Sequence, residues 1–314
     1  MNVLLKGFLL YLLAINLLAF LLYGIDKSRA KRGKWRIRES VLILMSFLLG
    51  TIGSLAGMRL FHHKTLKKKF RIGVPAILIL QIFCALAAAY YFHDYYHADL
   101  KALAAMKGSG TVQVKHISGN HIFDRGDYLF DGPGDDRAMI FYPGAKVDET
   151  AYAPLLLKIA ENGTDCVLAS MPLHFALLDT GAADQIRQEL DYPHWVLAGH
   201  SLGGVAASVN LADHAGDGTY SAMIYFASYP AKDLHKLSIP ALSVYGSRDM
   251  NLDAIHKHEK DYPAGTTVKV IEGGNHAQFG SYGIQKGDQT AQISAEDQQN
   301  QAAAAVSQFL ESVR

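Results

Sequence analysis

Residues 199–203 read Gly-His-Ser-Leu-Gly and stand between an apolar stretch and one rich in Ala and Val. A serine in the pattern G-x-S-x-G occupies a tight turn from a strand into a helix, where its hydroxyl is exposed at the carboxyl end of a sheet. Gly199 and Gly203 are required because side chains there would collide with the strand and the helix. The helix N-terminus also favours developing negative charge. The motif therefore predicts Ser201 as a nucleophile; the alternative is a glycine-rich turn that merely contains a serine.

A serine nucleophile needs a base, and the base needs an acid that orients it. With this type of turn, the acid and then the base follow the serine along the chain. Asp249 comes shortly after the apolar stretch Ala241–Tyr245, and His276 shortly after Thr267–Ile271. Both residues leave the carboxyl ends of predicted strands, so both can converge on Ser201. We predict Asp249 as the acid and His276 as the base.

Other residues near these positions could take the same roles. Asp253 is the alternative acid because it lies four residues beyond Asp249. His256 and His258 are alternative bases, although both fall in a predicted surface helix. His200 is expected to pack or tune the site, since its side chain should point away from that of the serine beside it.

The third requirement is a pair of donors for the oxyanion that forms during acyl transfer. One should be the backbone N–H of Leu202, the residue after the nucleophile, and the other should come from a loop after an earlier strand. The apolar run Met139–Tyr142 leads into Pro-Gly-Ala-Lys. Gly144 permits a close approach of the backbone, so we predict the N–H of Ala145 as the second donor. Lys146 either lines the mouth of the site or is solvated.

Short apolar strands and helical patterns alternate through the second part of the chain. This alternation predicts a mostly parallel sheet with helices on both faces, in one α/β domain over residues 111–314. The predicted strands are Thr111–Ile117, Tyr128–Phe130, Ala138–Tyr142, Asp165–Ala169, Trp195–Gly199, Ala222–Ala227, Ala241–Tyr245 and Thr267–Ile271, and the predicted helices are Thr150–Glu161, Ala182–Leu190, Leu202–Asp213 and Ala295–Val313.

Two loops bear on the substrate. Between Ala227 and Ile239 the chain is too short for a large helical lid. The segment Ala277–Ser294 follows the predicted base and is rich in Gly, Gln and other polar residues, so we expect it to form a wall of the site. A polar wall indicates a hydrophilic ester or acyl substrate rather than a triglyceride.

The first part of the chain is of another kind. Three apolar stretches, Val3–Tyr23, Val41–Met58 and Gly73–Phe92, approach the length that an α-helix needs to cross a bilayer. The first lacks the small-residue pattern of a cleavage site, so we expect it to be retained. Residues 1–92 are therefore predicted to form a membrane domain with about three helices, followed by a linker at 93–110. Glycines in the middle stretch allow either a close helix neighbour or a re-entrant segment, and they stand at Gly50, Gly53 and Gly57.

Lys and Arg crowd positions 27–71, whereas the acidic residues, apart from Asp26 and Glu39, lie from position 94 onward. Basic charge that flanks apolar stretches is typical of membrane proteins and not of nucleic-acid binding. Both basic loops favour the cytoplasm, which conflicts with a full crossing by the middle stretch. The third stretch is basic before it and rich in tyrosine after it. This gradient predicts a multi-pass protein of the bacterial cell membrane whose second domain is extracytoplasmic.

Several motifs in the second domain resemble the α/β-hydrolase superfamily, in particular bacterial dienelactone-hydrolase-like proteins, with Ser in place of their Cys. These motifs are Phe141–Asp148, Ser170–Leu173, Gly199–Gly204, Ala227–Pro230 and Gly274–Gly280. The resemblance implies an α/β-hydrolase fold and esterase-like hydrolysis of an undefined substrate. Relatives often have a membrane anchor and an outward-facing hydrolase domain. Residues 1–92 resemble a small bacterial membrane-domain family of unknown function through Asp26-Lys27, Arg36–Glu39, Phe61–Thr65 and Phe70-Arg71.

Together these patterns predict a membrane-anchored serine hydrolase that acts on a small-molecule ester or acyl substrate, without metal or organic cofactor. One alternative is an acyltransferase with the same triad. Another is a binding module attached to a functional membrane domain. His62 and His63 could bind a metal, but adjacent histidines at a membrane edge are more often interfacial. Cys84 and Cys166 are expected to be small core residues, and the sequence does not identify which proteins, if any, are partners.

Overall fold

A computed structural model describes residues 3–117 and 126–313 of the chain, without the side chains of residues 3–5. The connection at 118–125 between the first two predicted strands, the first two residues of the predicted membrane domain and Arg314 lie outside the described residues. The chain divides into two compact units, Met1–His93 and Asp94–Arg314. Each unit has its own elements and its own core.

The second unit is built on one eight-stranded sheet with the order β1-β2-β4-β3-β5-β6-β7-β8. Strands β1 and β2 pair antiparallel, as do β2 and β4, and all other neighbours are parallel. The strands are β1 Gln113–Ile117, β2 Asp127–Asp131, β3 Arg137–Tyr142, β4 Asp165–Leu168, β5 His194–His200, β6 Ala222–Phe226, β7 Ala241–Gly246 and β8 Thr267–Ile271. The central strands are buried on both sides, as parallel strands between two layers of helices must be.

Helices cover both faces of this sheet, which confirms the predicted α/β fold. The helices of the second unit are α6 Leu100–Ala105, α7 Ala153–Glu161, α8 Ala182–Glu189, α9 Leu202–Asp213, α10 Leu252–Lys257 and α11 Ala295–Ser312. Buried residues of α7 and α11 share one hydrophobic core with the sheet, and those of α8 and α9 share the other. The bounds of α9 and β8 agree with those predicted from the sequence.

Residues 94–110, expected from the sequence to be a linker, lie within the second unit. The N–H of Tyr96 donates to the carbonyl of Lys146 over 2.7 Å, and the carbonyl of Tyr96 accepts from Asp148 over 2.8 Å. Asp99 caps α6 by accepting from the N–H of Ala102. Ala102 is buried. The segment is ordered because it has a capped helix with an apolar face.

The first unit contains three stretches that are long and apolar enough to cross a membrane, Lys6–Lys31, Glu39–Leu60 and Lys68–His93. Its helices are α1 Val3–Lys31, α2 Glu39–Met45, α3 Thr51–Leu60, α4 Lys68–Arg71 and α5 Gly73–His93. The middle stretch is interrupted between α2 and α3 at Ser46–Gly50, where Leu49 has a φ of 68°. Length and composition alone therefore describe this stretch incompletely.

Helix α3 runs beside α1 in the same direction. A Cβ on Gly53 would lie 1.9 Å from the carbonyl oxygen of Asn16, and one on Gly57 would lie 2.8 Å from the Cβ of Tyr23. The later residue of α3 thus faces the later residue of α1, so the two helices are parallel. The glycines allow the close helix approach that the sequence analysis offered as one interpretation.

Both ends of the interrupted middle stretch lie at the C-terminal end of α1. The Asp26 carboxylate accepts from the N–H of Ile37 over 2.8 Å and bonds the Nε2 of His63 over 2.7 Å. Lys64 donates to Glu39 over 2.9 Å. The segment before α2 and the segment after α3 are therefore joined through one cluster. The middle stretch enters and leaves at the same end and forms a helical hairpin.

The tip of this hairpin has its free backbone groups bonded by side chains of the neighbouring helices. Tyr11, Asn16 and Gln81 donate to carbonyl groups of the break over 2.9, 2.9 and 2.8 Å. The side-chain oxygen of Asn16 also accepts from the N–H of Gly53 over 2.8 Å. Irregular backbone is tolerated at membrane depth only where such groups are bonded internally. With ten residues, α3 extends about 15 Å, roughly half of a hydrocarbon core.

The two cysteines differ in environment. Cys166 is buried in the core of the second unit, as expected. Cys84 is exposed on α5, so the expectation of a core residue was wrong there. An apolar helix of a membrane unit turns small and apolar residues outward as well as inward, and the sequence does not separate the two faces.

Candidate active site

Ser201 lies between β5 and α9 in a backbone conformation with φ 52° and ψ −125°. A Cβ on Gly199 would lie 2.5 Å from backbone atoms of Gly203 and Gly204. One on Gly203 would lie 2.1 Å from the carbonyl oxygen of Tyr142. Only glycine fits at these two positions, so the turn has the geometry that the motif predicts.

Strained backbone concentrates at the carboxyl edge of the sheet. In the described part of the second unit, each non-glycine residue with positive φ follows the carboxyl end of a strand. These residues are Lys146 after β3, Leu173 and His174 after β4, Ser201 after β5 and Ala227 after β6. Such strain persists only where the surroundings fix it, and it clusters at functional sites. The distribution marks this edge independently of the serine motif.

Asp249 and His276 form a buried pair at the same edge. The Nδ1 of His276 lies 3.0 Å from Oδ1 and 3.1 Å from Oδ2 of Asp249, and both side chains are fully buried. The imidazole ring of His276 is 4.6 Å from that of His200, the residue before Ser201. Among the described residues, no hydrogen bond reaches the Nε2 of His276. A carboxylate accepts and does not donate, so Nδ1 carries a proton, and in the neutral ring Nε2 presents a lone pair.

The alternative residues do not join this pair. Asp253 is exposed on α10. His258 bonds Asp261 over 2.7 Å and stacks on Tyr229 at 4.6 Å. His256 is exposed and packs edge-on against a tyrosine of β7. Their positions on and after α10 direct them away from His276.

In the loop 143–146 after β3, one backbone N–H has no hydrogen-bond acceptor among the described residues. Pro143 has no N–H. The N–H of Gly144 donates to a tyrosine hydroxyl over 3.1 Å, and that of Lys146 donates to a carbonyl in the loop after β4 over 2.8 Å. No acceptor is found for the N–H of Ala145 among the described residues. Ala145 is thus the residue of this loop whose N–H remains available.

The N–H of Leu202 is also available. Leu202 is the first residue of α9, whose early N–H groups have no acceptor within the helix. No other described residue accepts from it. The Ser201 backbone is held in place by its own N–H, which donates to Phe226 over 2.9 Å, and by its carbonyl, which accepts from Ser228 over 2.6 Å.

His200 is buried next to the ring of His276. Its Nδ1 lies 2.8 Å from the hydroxyl of Tyr152, and its Nε2 lies 3.1 Å from the carbonyl of His276. Burial, with the nearby His276 ring as a second cause, lowers the pKa of His200 well below its usual range. His200 is therefore a neutral connection between the nucleophile turn and the segment of the base.

The polar segment 277–294, predicted to form a wall of the site, follows His276 directly. It lines a cleft of about 430 Å³ with α6, α7 and α11, and neither Ser201 nor His276 is among the described residues that line it. The carboxylate of Asp288 accepts from the N–H of Ala277 over 2.8 Å and from that of Met250 over 3.2 Å. These bonds hold the segment against the loops of the base and the acid.

Tyr152, Ser228 and Asp288 support the site, although the sequence analysis did not identify them. Each acts through a hydrogen bond to backbone or to a neighbouring side chain, and such bonds have no fixed spacing in sequence. Tyr152 stands nine residues before the end of α7 in an otherwise apolar run, which reads as core. No sequence signal separated it from a packing residue.

Among the described residues, no group of three or more His, Cys, Asp and Glu side chains is placed to hold a metal ion. His63, one of the two histidines considered as ligands, bonds Asp26 instead. Lys146, expected to line the mouth or to be solvated, is mostly buried and lies 3.3 Å from the carboxylate of Asp94.

Two families match the chain. The "Alpha/beta hydrolase family" matches residues 138–300, and the "Protein of unknown function (DUF1294)" family matches residues 16–70. The chain is also similar to YsdA, an uncharacterized protein of Bacillus subtilis (strain 168). The two are 43% identical over 81 residues, which are 26% of this chain and 89% of YsdA.

Solved structures of several esterases and hydrolases are similar to this chain. Est1E from Butyrivibrio proteoclasticus is 18% identical with a TM-score of 0.48, over 63% of this chain and 98% of its own. A dienelactone hydrolase from Anabaena variabilis is 14% identical with a TM-score of 0.47, over 65% and 99%. The naproxen esterase of Bacillus subtilis is 12% identical with a TM-score of 0.47, over 70% and 96%.

Proposed function

Because this chain belongs to the alpha/beta hydrolase family and carries a DUF1294 segment in its first unit, we propose that it is a membrane-anchored serine hydrolase. The observation that carries the proposal is the buried Asp249–His276 pair, whose Nε2 lone pair is unbonded among the described residues. This pair lies beside the turn that holds Ser201 in a strained conformation. A neutral imidazole in this tautomer is a general base.

In the proposed reaction, the Oγ of Ser201 attacks an ester carbonyl and its proton passes to the Nε2 of His276. The oxyanion accepts hydrogen bonds from the N–H groups of Leu202 and Ala145. The ester C–O bond then breaks, and His276 gives its proton to the leaving alcohol. Water attacks the acyl-enzyme with His276 again as the base, which releases the carboxylic acid and restores Ser201. Asp249 holds the imidazole in the required tautomer throughout.

The purified full-length protein in detergent is expected to react covalently with a fluorophosphonate probe and to hydrolyse p-nitrophenyl esters. We propose a small or polar substrate because the segment next to the base is polar, and therefore expect acetate and butyrate esters to be cleaved faster than palmitate. Neither labelling nor hydrolysis would contradict the proposed activity. Faster cleavage of the palmitate ester would contradict only the proposed substrate class. An increase in the rate of p-nitrophenol release when an alcohol is added would identify acyl transfer to that alcohol.

The hairpin of the first unit supports a topology with two full crossings. If the middle stretch does not cross, the two basic segments at 27–38 and 59–71 lie on one side of the membrane. This arrangement removes the conflict in their charge, because both can be cytoplasmic. Helix α5 then leads out of the cytoplasm, and the hydrolase unit is extracytoplasmic.

Three variants that each add one cysteine test this topology with a membrane-impermeant maleimide on intact cells. They are made in a Cys84→Ala background, which retains only the buried Cys166. Ile284→Cys, in the hydrolase unit, is expected to be labelled. Trp35→Cys and Leu66→Cys are expected to be labelled only after the membrane is opened. All three positions are more than nine-tenths exposed, so access depends on the side of the membrane. Labelling of Trp35→Cys and Leu66→Cys from opposite sides would show a full crossing between them.

A further inference from the structure

The buried ring of Tyr152 connects three parts of the site that lie far apart in sequence. It belongs to the turn before α7 and is fully buried. Its hydroxyl lies 3.1 Å from the N–H of Gly144 and 2.8 Å from the Nδ1 of His200. The other ring nitrogen of His200 lies 3.1 Å from the carbonyl of His276. One chain of hydrogen bonds thus runs from the loop after β3, through the nucleophile turn, to the segment of the base.

The direction of every bond in this chain is fixed by chemistry. A carbonyl only accepts, so the Nε2 of His200 must carry the proton that it donates to His276. In the neutral ring the Nδ1 is then an acceptor and takes the proton of the Tyr152 hydroxyl. The oxygen of Tyr152 in turn accepts from the N–H of Gly144. Burial keeps both side chains neutral, since it raises the pKa of Tyr152 and lowers that of His200.

The same contacts explain why residue 144 is a glycine. A Cβ there would lie 2.8 Å from the hydroxyl of Tyr152 and 2.9 Å from the Nδ1 of His200. The loop therefore rests directly on the bond between these two side chains. Tyr152 engages the N–H of Gly144, and the next amide, that of Ala145, has no acceptor among the described residues.

We propose that Tyr152 is a positioning residue that, together with His200, sets the Ala145 N–H of the oxyanion site relative to Ser201 and His276. This inference rests on the proposed function, because it assigns the residue a role in stabilising the oxyanion. A hydroxyl that orients one amide acts on the transition state and not on substrate binding. Its removal therefore lowers kcat while KM stays nearly constant.

Tyr152→Phe keeps the aromatic ring and removes the hydroxyl. We expect kcat for ester hydrolysis by the full-length protein to fall by about 100-fold, the loss that a misplacement of about 1 Å causes and the lower end of the loss for a missing oxyanion donor. KM should change less than about twofold. The matched control is Tyr282→Phe, which removes another buried hydroxyl of the same core, bonded to Gln285 over 2.9 Å. This control is expected to keep the wild-type kcat.

Equal kcat values in Tyr152→Phe and Tyr282→Phe would overturn the inference, and so would an effect on KM alone.

A second measurement does not depend on activity. It is ¹⁵N NMR of histidine-labelled protein in detergent, in which the resonances of His200 are assigned by comparison with a His200→Gln sample. We expect the wild-type ring to be neutral with its proton on Nε2 from pH 5.5 to 8.5, and the Nδ1 resonance to shift in Tyr152→Phe. A proton on Nδ1, or titration in this range, would overturn the network. Inactivity of the wild type with the NMR result intact would instead contradict the proposed function.

Discussion

Replacement of Ser201 by Ala is expected to abolish fluorophosphonate labelling and to lower kcat for ester hydrolysis by about 10⁶-fold, the loss seen when a triad nucleophile is removed. The strained turn places this hydroxyl at the carboxyl edge of the sheet, where His276 also lies, and the Nε2 of His276 has no hydrogen-bond partner among the described residues. The remaining activity would come from the oxyanion donors and substrate binding. Labelling with a fluorescent probe and steady-state kinetics measure the two effects.

The matched control for this variant is Ser228→Ala. The hydroxyl of Ser228 donates to the backbone carbonyl of Ser201 over 2.6 Å. This serine is therefore close to the nucleophile, but its hydroxyl stabilises the turn. The Ser228 variant is expected to remain labelled. If Ser201→Ala were labelled as strongly as the wild type, the nucleophile would be a different residue.

The parts of this site that can be predicted from the sequence depend on short motifs and on the order of the strands along the chain. The turn at Ser201 requires two glycines at fixed spacing, because the strand and helix approach within van der Waals contact there. The positions of Asp249 and His276 follow from chain order, since the carboxyl ends of parallel strands meet at one edge of the sheet. The fold itself was predictable for the same reason: alternating buried strands and helices of these lengths allow few architectures.

The parts that the sequence does not predict depend on contacts between distant residues. Tyr152 meets His200 across 48 positions, and nothing in the apolar run around it indicates a hydroxyl with a partner. The segment after His276 is predicted to be a wall of the site because it is long and polar. Its attachment is not predictable: Asp288 bonds backbone groups of the loops beside it, and this use of a carboxylate has no sequence pattern.

The middle apolar stretch shows a third case, in which the sequence contained the signal but hydropathy alone did not resolve it. A run of 22 residues is long enough to cross, whereas the interruption at Leu49 returns the chain to its starting end. The conflict between two basic loops was the better indicator. Loops rich in Lys and Arg prefer the cytoplasmic side of a membrane, so their positions constrain the topology where the length of an apolar stretch does not.

Asp249→Asn is expected to lower kcat by about 10⁴-fold with little change in KM, as for a triad whose acid becomes an amide. The Oδ1 of Asp249 also accepts from the N–H of Asn251 over 2.7 Å, and an amide oxygen can keep this bond. The new NH₂ group would then take the place of Oδ2, 3.1 Å from the Nδ1 of His276. This NH₂ group would donate to Nδ1 and favour the tautomer of His276 with its proton on Nε2. In that tautomer Nε2 cannot accept the proton of Ser201.

The exposed Asp253, the alternative acid, supplies the control for this test. Asp253→Asn changes the same functional group four residues away, on a helix that does not bond His276, and is expected to keep kcat within about twofold of wild type. The reverse pattern would assign the acid to Asp253. Fluorophosphonate labelling should also slow in Asp249→Asn, because the probe reports the nucleophilicity of Ser201 directly. A variant that turns over slowly but labels at the wild-type rate would place the role of Asp249 after the first attack, in the step where His276 protonates the leaving group.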